Sequence, residues 1–255
     1  MSETTHLPHV HRISVTAPLN WLALGWRDFQ RAPGPCLIYG IGLAAISAAI
    51  MGVLATTGAF RWFLVLVGGF LLVAPILAMG AYQAARMLEA GQRPRISDML
   101  FVRSAFRRDL AILGVALFVL FGLWVNAAHL TYGLSTRAVH HTTADFLTFM
   151  LTTSDGHSMA MIGSVIGGAI AFLAYSLVVI SAPMLLNEES DVFIATITSV
   201  RAVVENFLPM LVWAVLIAAL TAIGIGTAFL GLIVIFPWIG LASWHAYREL
   251  THGHA

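Results

Sequence analysis

An all-α protein threaded several times through a membrane is the fold class this sequence predicts, and three observations predict it. Hydrophobic residues make up 59% of the chain and charged residues 10%, whereas soluble domains typically carry about a quarter charged residues. Six apolar runs are each long enough to cross the hydrocarbon layer as a helix, which takes roughly 20 residues. The thirteen basic residues are all arginine, and they cluster between alternate pairs of runs. Arg12, Arg27, Arg31, Arg86, Arg93, Arg95, Arg103, Arg107, Arg108, Arg201 and Arg248 fall in one set of connections, and only Arg61 and Arg137 in the other. Arginine retained in the cytoplasm produces this bias. The expected location is therefore the bacterial inner membrane, with both termini cytoplasmic.

Taken in order, residues 1–16 form a polar, flexible tail with Glu3, His6, His9, His11 and Arg12. The tail lacks the apolar core and small-residue cleavage site of a signal peptide. Spans are expected at 36–57, 63–85, 111–132, 162–186, 207–225 and 227–247. Gly58 to Arg61 and Gly224 to Gly226 make tight hairpins. Residues 133–161 form a longer segment on the non-cytoplasmic side, in which 145–151 is apolar enough to lie on the membrane surface. The single cysteine, Cys36, excludes an internal disulfide and reads as a small buried hydrophobe.

The membrane domain covers 17–250 in three repeat-like units, 17–92, 96–187 and 190–250, and 251–255 is a C-terminal tail. Each unit opens with an amphipathic helix on the cytoplasmic side and continues into two spans, the second containing a proline: Pro75, Pro183 or Pro237. Spacings of three and four put Leu19, Leu22, Trp26 and Phe29 on one helical face. Met99, Val102, Phe106 and Leu110 repeat the pattern, as do Phe193, Ile197, Val200, Val204 and Phe207. Thr16, Ser97 and Ser190 or Asp191 stand where N-caps belong. Proline removes a backbone hydrogen bond and kinks a helix. In units one and three an aromatic and an arginine follow it at the same interval, Tyr82 and Arg86, then Trp244 and Arg248.

The run from Asn20 to Asp28, Arg31-Ala-Pro-Gly-Pro35, Tyr39-Gly40, Pro183-Met-Leu-Leu186 and Trp244-His-Ala-Tyr-Arg248 resemble a bacterial domain-of-unknown-function family of integral membrane proteins. Some members of that family carry an automatic label as cytochrome c oxidase subunit I. The resemblance covers about 17–248 and implies six inner-membrane helices. More loosely, the triple unit is similar to the membrane domain of glycerophosphoryl diester phosphodiesterases, without a catalytic domain. Oxidase chemistry itself needs six span-borne histidines. Only His129 lies clearly inside a span, and His245 ends another at the opposite surface.

Candidate sites follow from side-chain chemistry. His129, His140, His141 and His157, with Met150, Met159 and Met161 nearby, supply imidazole and thioether ligands suited to copper. Their spacing matches no ligand motif, so a polar loop with an interfacial histidine is the competing reading. Asn126 and His129 share a helical face, where packing competes with function. His6, His9, His11, His252 and His254 could meet on the cytoplasmic face. Arg27, Arg31, Arg103, Arg107 and Arg108 are candidates for anionic lipid headgroups, besides setting topology. Gly163, Gly167 and Ala171 form a small-residue ridge for intramolecular packing or a dimer. Enzyme motifs, a buried transport carboxylate and nucleic-acid features are absent. The expected function is a non-enzymatic accessory or assembly factor of a respiratory complex, without a resident cofactor unless copper binds. A carrier or lipid-handling protein and a copper-handling protein are the alternatives, and membrane lipids, a respiratory complex or self-association the expected partners.

Overall fold

The computed structural model describes residues 8–57, 66, 74, 76–102, 108–136, 143–188 and 190–253, without the side chains of 143, 144 and 147. Among these residues the regular structure is entirely helical. In chain order the helices are α1 Ala17–Arg31, α2 Pro33–Thr56, α3 Met79–Glu89, α4 Ile96–Leu100, α5 Arg108–Ser135 and α6 Thr143–Thr152. They continue as α7 Ser154–Val178, α8 Ser181–Asn187, α9 Val192–Glu205, α10 Phe207–Gly226 and α11 Leu232–His252.

Four helical stretches are long and apolar enough to cross a membrane: Pro33–Thr56, Arg108–Ser135, Ser154–Asn187 and Phe207–Gly226, with mean hydropathies of 2.2 to 2.4. They cover the first, third, fourth and fifth expected spans. Most of the second, with Pro75 and the hairpin before it, lies outside the described residues, and only its end enters α3. The sixth corresponds to α11, which starts later than expected because the turn falls at 227–231 rather than at Gly224 to Gly226. Gly224 stays helical there, since a side chain on it would strike Leu232, and Thr227 Oγ1 bonds both Gly224 O at 3.0 Å and Gly231 N at 2.8 Å. Helix α6 occupies the 145–151 stretch.

The chain divides into two compact units. One comprises Met1–Ile46, Pro75–Leu113 and Tyr175–Ala255, the other Ser47–Ala74 and Gly114–Ala174. In the first, α11 is the hub, packed by α1, α3 and α10. Lipid tails are as apolar as leucine, so close approach of small residues does the work that water exclusion does in soluble proteins. Gly25 of α1 lies over Ala242, where an added Cβ would come within 2.6 Å of the Ala242 nitrogen. Gly240 faces Ala81, and Ala17, Ala81, Ala84, Ala242 and Ala246 are fully buried. Residues 8–16, placed by the sequence in a tail, are tied to this unit through the chain's own backbone. His11 N donates to Leu250 O at 2.8 Å, Ile13 N to Asn206 Oδ1 at 2.9 Å, and Asn206 Nδ2 to His11 O at 3.0 Å.

Breaks in the helices free backbone groups, and hydroxyls of neighbouring helices meet those at two of them. Pro183 cannot tolerate a regular turn before it, and the helix breaks at Val179 and Ile180. There the Ser199 hydroxyl inserts into the ladder, accepting from Ile180 N at 3.1 Å and donating to Ser176 O at 2.8 Å. Pro237 removes the donor that would have met Ile233 O, and that carbonyl points at Gly40, where any side chain would collide with it. At the turn before α3, the Tyr39 hydroxyl donates to Leu77 O.

The amphipathic helices turn part of the apolar stripe outward. In α1 the buried residues are Ala17, Pro18, Trp21, Gly25, Asp28 and Phe29, while Leu19 and Trp26 are exposed. In α9 they are Val192, Ala195, Thr198, Ser199, Ala202 and Val203, while Phe193, Ile197 and Val204 are exposed. Much of each apolar stripe thus faces outward while small and polar residues pack inward, joined in α1 by Trp21 and Phe29, an arrangement suited to a lipid surround. Between them, α4 ends at Leu100 and residues 103–107 lie outside the described set. Asp191 caps α9 by accepting from Phe193 N at 2.7 Å. Arg95 rather than Ser97 precedes α4, with Asp98 accepting from Arg95 N at 2.8 Å.

In the second unit α5 and α7 use the glycine ridge. Gly167 accommodates the Trp124 indole and Gly163 faces Thr131, so these two positions serve packing within the chain.

Candidate functional site

The densest polar arrangement gathers where α1, α3, α8 and α11 end, and carboxylates organise it. Asp28, on the buried face of α1 and 5% exposed, accepts from His245 Nε2 at 2.7 Å and from Arg31 NH1 at 3.1 Å. Glu89, closing α3, accepts from Trp244 Nε1 at 3.0 Å and Arg248 Nε at 2.9 Å. Glu188, just past α8, accepts from the Tyr247 hydroxyl at 2.6 Å, and Asn187 Nδ2 donates to that same hydroxyl at 3.1 Å. Glu249 accepts from Trp21 Nε1 at 2.6 Å.

These bonds follow from local sequence. One helical turn separates Trp244, Tyr247 and Arg248, so α11 offers them along one side. Charged acceptors make each bond worth about 1.5–3 kcal/mol where solvent is excluded. Chemically, the arrangement clamps helix ends and fixes the crossing of α1 over α11. His252 lies 3.7 Å from Glu188 and edge-on to the Tyr247 ring at 5.6 Å. Burial and then Arg248 push its pKa below the ordinary histidine value, against the opposing pull of Glu188 and Glu89.

Sequence reasoning did not single out Asp28, Glu89, Glu188 or Glu249. The available signal for Asp28 was a carboxylate at the i+3 position from Gly25 on a helix otherwise rich in arginine. For the glutamates it was their position at the end of each unit.

The copper candidates fare differently. His140 and His141 lie outside the described residues. His129 Nδ1 is 2.9 Å from Val125 O, and His157 Nε2 is 2.9 Å from Leu151 O, so each of these nitrogens is engaged with a nearby carbonyl. Asn126 Nδ2 likewise donates to Gly122 O of its own helix at 2.8 Å. Among the described residues no three His, Cys, Asp or Glu side chains converge as a metal set. The terminal histidines do approach one another: the His11 ring lies against Gly253, next to His252, whereas His6 and His254 are outside the described residues. Of the arginine set, Arg27, Arg31 and Arg108 are exposed, and Arg103 and Arg107 are not described.

No curated protein and no solved structure matches the chain. A family model does. Over residues 63–187 the chain is similar to the family described as Predicted integral membrane protein (DUF2189), which agrees with its apolar helices and supports the resemblance to a membrane family of unknown function.

Proposed function

We propose that this is a non-enzymatic, six-span protein of the bacterial inner membrane, with cytoplasmic termini, serving as an accessory or assembly component of a larger membrane complex. The resemblance noted in the sequence suggests a respiratory, haem–copper oxidase complex as the partner class. One observation carries the choice of a static role over a transporting one. Carriers use broken helices whose freed backbone groups line a cavity and coordinate substrate. Here the breaks at Ile180 and Leu77 are filled from within the chain, by the Ser199 and Tyr39 hydroxyls. The carboxylates at the helix ends are bonded to indole, phenol, imidazole and guanidinium donors.

Extraction of the tagged protein in mild detergent tests the reading. Reproducible co-purification of oxidase subunits is the expected result, and a protein that runs alone would remove the accessory role. A lipid-handling role is the second reading, favoured by the outward apolar residues of α1 and α9. Stoichiometric phospholipid retained through purification, without a protein partner, would favour it.

A further inference from the structure

We infer that α1 and α9 are interfacial helices lying in the cytoplasmic leaflet, and that the basic edge of α1 takes the phosphates of anionic phospholipids. The inference rests on membrane residence and not on the accessory role. Helix α1 divides its circumference into a buried arc, an apolar arc and a polar arc. At about 100° per residue, its buried positions, Ala17 to Phe29, fill an arc of about 120° against the protein. The remaining surface splits in two. Leu22, Trp26, Leu19 and Ala23 occupy an adjoining arc of about 100° that is apolar except for Gln30, and Arg27, Asn20 and Arg31 a polar arc of about 40° beyond it. Leu24 is the one apolar residue on the basic side. Leu19 is 56% exposed and the Arg31 side chain 66% exposed.

A helix in water gains nothing from showing leucine and tryptophan beside arginine. A helix lying at the headgroup level does, because its apolar arc enters the acyl boundary while its cations meet phosphate. The aromatic residues fit that depth. Trp26 stacks on Phe29 at 5.3 Å and meets Trp238 edge-on at 5.3 Å, and Trp238 Nε1 donates to Leu22 O at 2.8 Å. Indoles with one wet and one apolar edge concentrate at membrane interfaces.

Helix α9 repeats the layout with a different charge. Phe193, Val204 and Ile197 lie within about 40° of one another, opposite the buried face. The neighbouring charges, Arg201 and Glu205, pair at 3.0 Å. Both helices therefore have a lipid-seeking arc, but only α1 adds unneutralised positive charge: Arg31 shares Asp28, and Arg27 carries a full charge on an exposed side chain. Helix α9 thus meets the leaflet through its apolar arc alone, and α1 adds a phosphate-bearing headgroup.

Spin labels read the geometry in nanodiscs of phosphatidylcholine with added phosphatidylglycerol. In a Cys36→Ala background, labels are placed at Leu19→Cys, Ile197→Cys, Arg27→Cys and, as a mid-span control in α5, Phe118→Cys. Collision with oxygen should exceed collision with a water-soluble nickel chelate at 19, 197 and 118, and the order should reverse at 27. Nickel preference at 19 and 197 with oxygen preference at 118 would place both helices in water and overturn the inference while membrane insertion stands. Nickel preference at 118 as well would overturn membrane insertion and the inference with it. The headgroup claim has its own readout, native mass spectrometry of the unlabelled protein exchanged into each lipid. Arg27→Gln should reduce the preference for phosphatidylglycerol over phosphatidylcholine about fivefold, and Arg201→Gln should leave it unchanged. An unchanged preference in Arg27→Gln would remove the arginine from headgroup binding.

Discussion

Replacing His245 tests whether the Asp28 pair holds α1 against α11. Asp28 has two donors of unequal worth. The Arg31 arm is a contact between neighbours on one helix with the guanidinium 66% exposed, so solvent screening leaves it about 0–1 kcal/mol. The His245 arm joins two helices at 2.7 Å, with side-chain exposures of 24% and 8%, and falls in the range of about 1.5–3 kcal/mol for a charged hydrogen bond. His245→Ala removes that arm and leaves the buried carboxylate with the weak one, which pushes the cost to about 3 kcal/mol. For a chain of this size each kcal/mol moves the melting temperature by about 2–4 °C, so the expected loss is about 6–12 °C. The assay is loss of the monodisperse peak after heating in mild detergent, run on Asp28→Asn, His245→Ala and the double variant. Asparagine keeps the shape and an acceptor, so the two changes should couple by at least about 1 kcal/mol. A loss under about 2 °C, or additivity within about 0.5 kcal/mol, would refute the clamp.

Four further outcomes are expected. Gly25→Ala gains about 1 kcal/mol in helix propensity but forces a Cβ to 2.6 Å from Ala242 N, so it should destabilise by about 1–2 kcal/mol net. Gly42→Ala, with open space around the same position in α2, should be neutral or stabilising in the same melt. Tyr247→Phe deletes a buried hydroxyl that bonds both Glu188 and Asn187, and should cost about 1.5–3 kcal/mol. The depressed pKa of His252 means the unfolded chain binds its proton first. Its contribution is fully present above the unfolded pKa of about 6.5 and is lost as pH falls through the lower folded value. Wild type should therefore lose stability between about pH 7 and 5 by a component missing from His252→Gln, measured in parallel melts. Arg248, Glu188, Glu89 and His11 are the charged and titratable groups around it.

The apolar runs were legible because length and hydropathy are properties of a segment alone, and four of them form helices long and apolar enough to cross a membrane. Which side of an amphipathic helix turns inward was not legible from the same pattern. In a soluble protein Phe193, Ile197 and Val204 would be the core stripe. In a lipid surround both environments are apolar, and the residues that win the inside are those allowing close approach, Ala195, Ser199 and Ala202. The same logic hid Asp28. A carboxylate beside Arg31 reads as part of a solvated charged face, and only the approach of His245 from a helix more than two hundred residues later makes it interior. The 227–231 turn was misplaced because glycine marks turns in water, whereas Gly224 serves here as the contact point for Leu232.

The three kink regions connect these observations. A proline or a tight turn in a buried helix frees a carbonyl or an amide, and each unsatisfied group in hydrocarbon costs several kcal/mol. The chain meets that demand with a hydroxyl of another helix at two places, Tyr39 for Leu77 and Ser199 for Ile180 and Ser176, and at the third Gly40 leaves room for the Ile233 carbonyl. Two of those partners, Tyr39 and Gly40, are adjacent at the start of α2, directly after the α1 helix that the Asp28 pair fixes. Shifting α1 would pull the Tyr39 hydroxyl from Leu77 O and disturb the close approach of Gly40 to Ile233. The Trp21, Asp28 and Gly25 contacts on α1 therefore stabilise more than their own interface. They hold α2 where Tyr39 bonds Leu77 O and Gly40 lies close against Ile233.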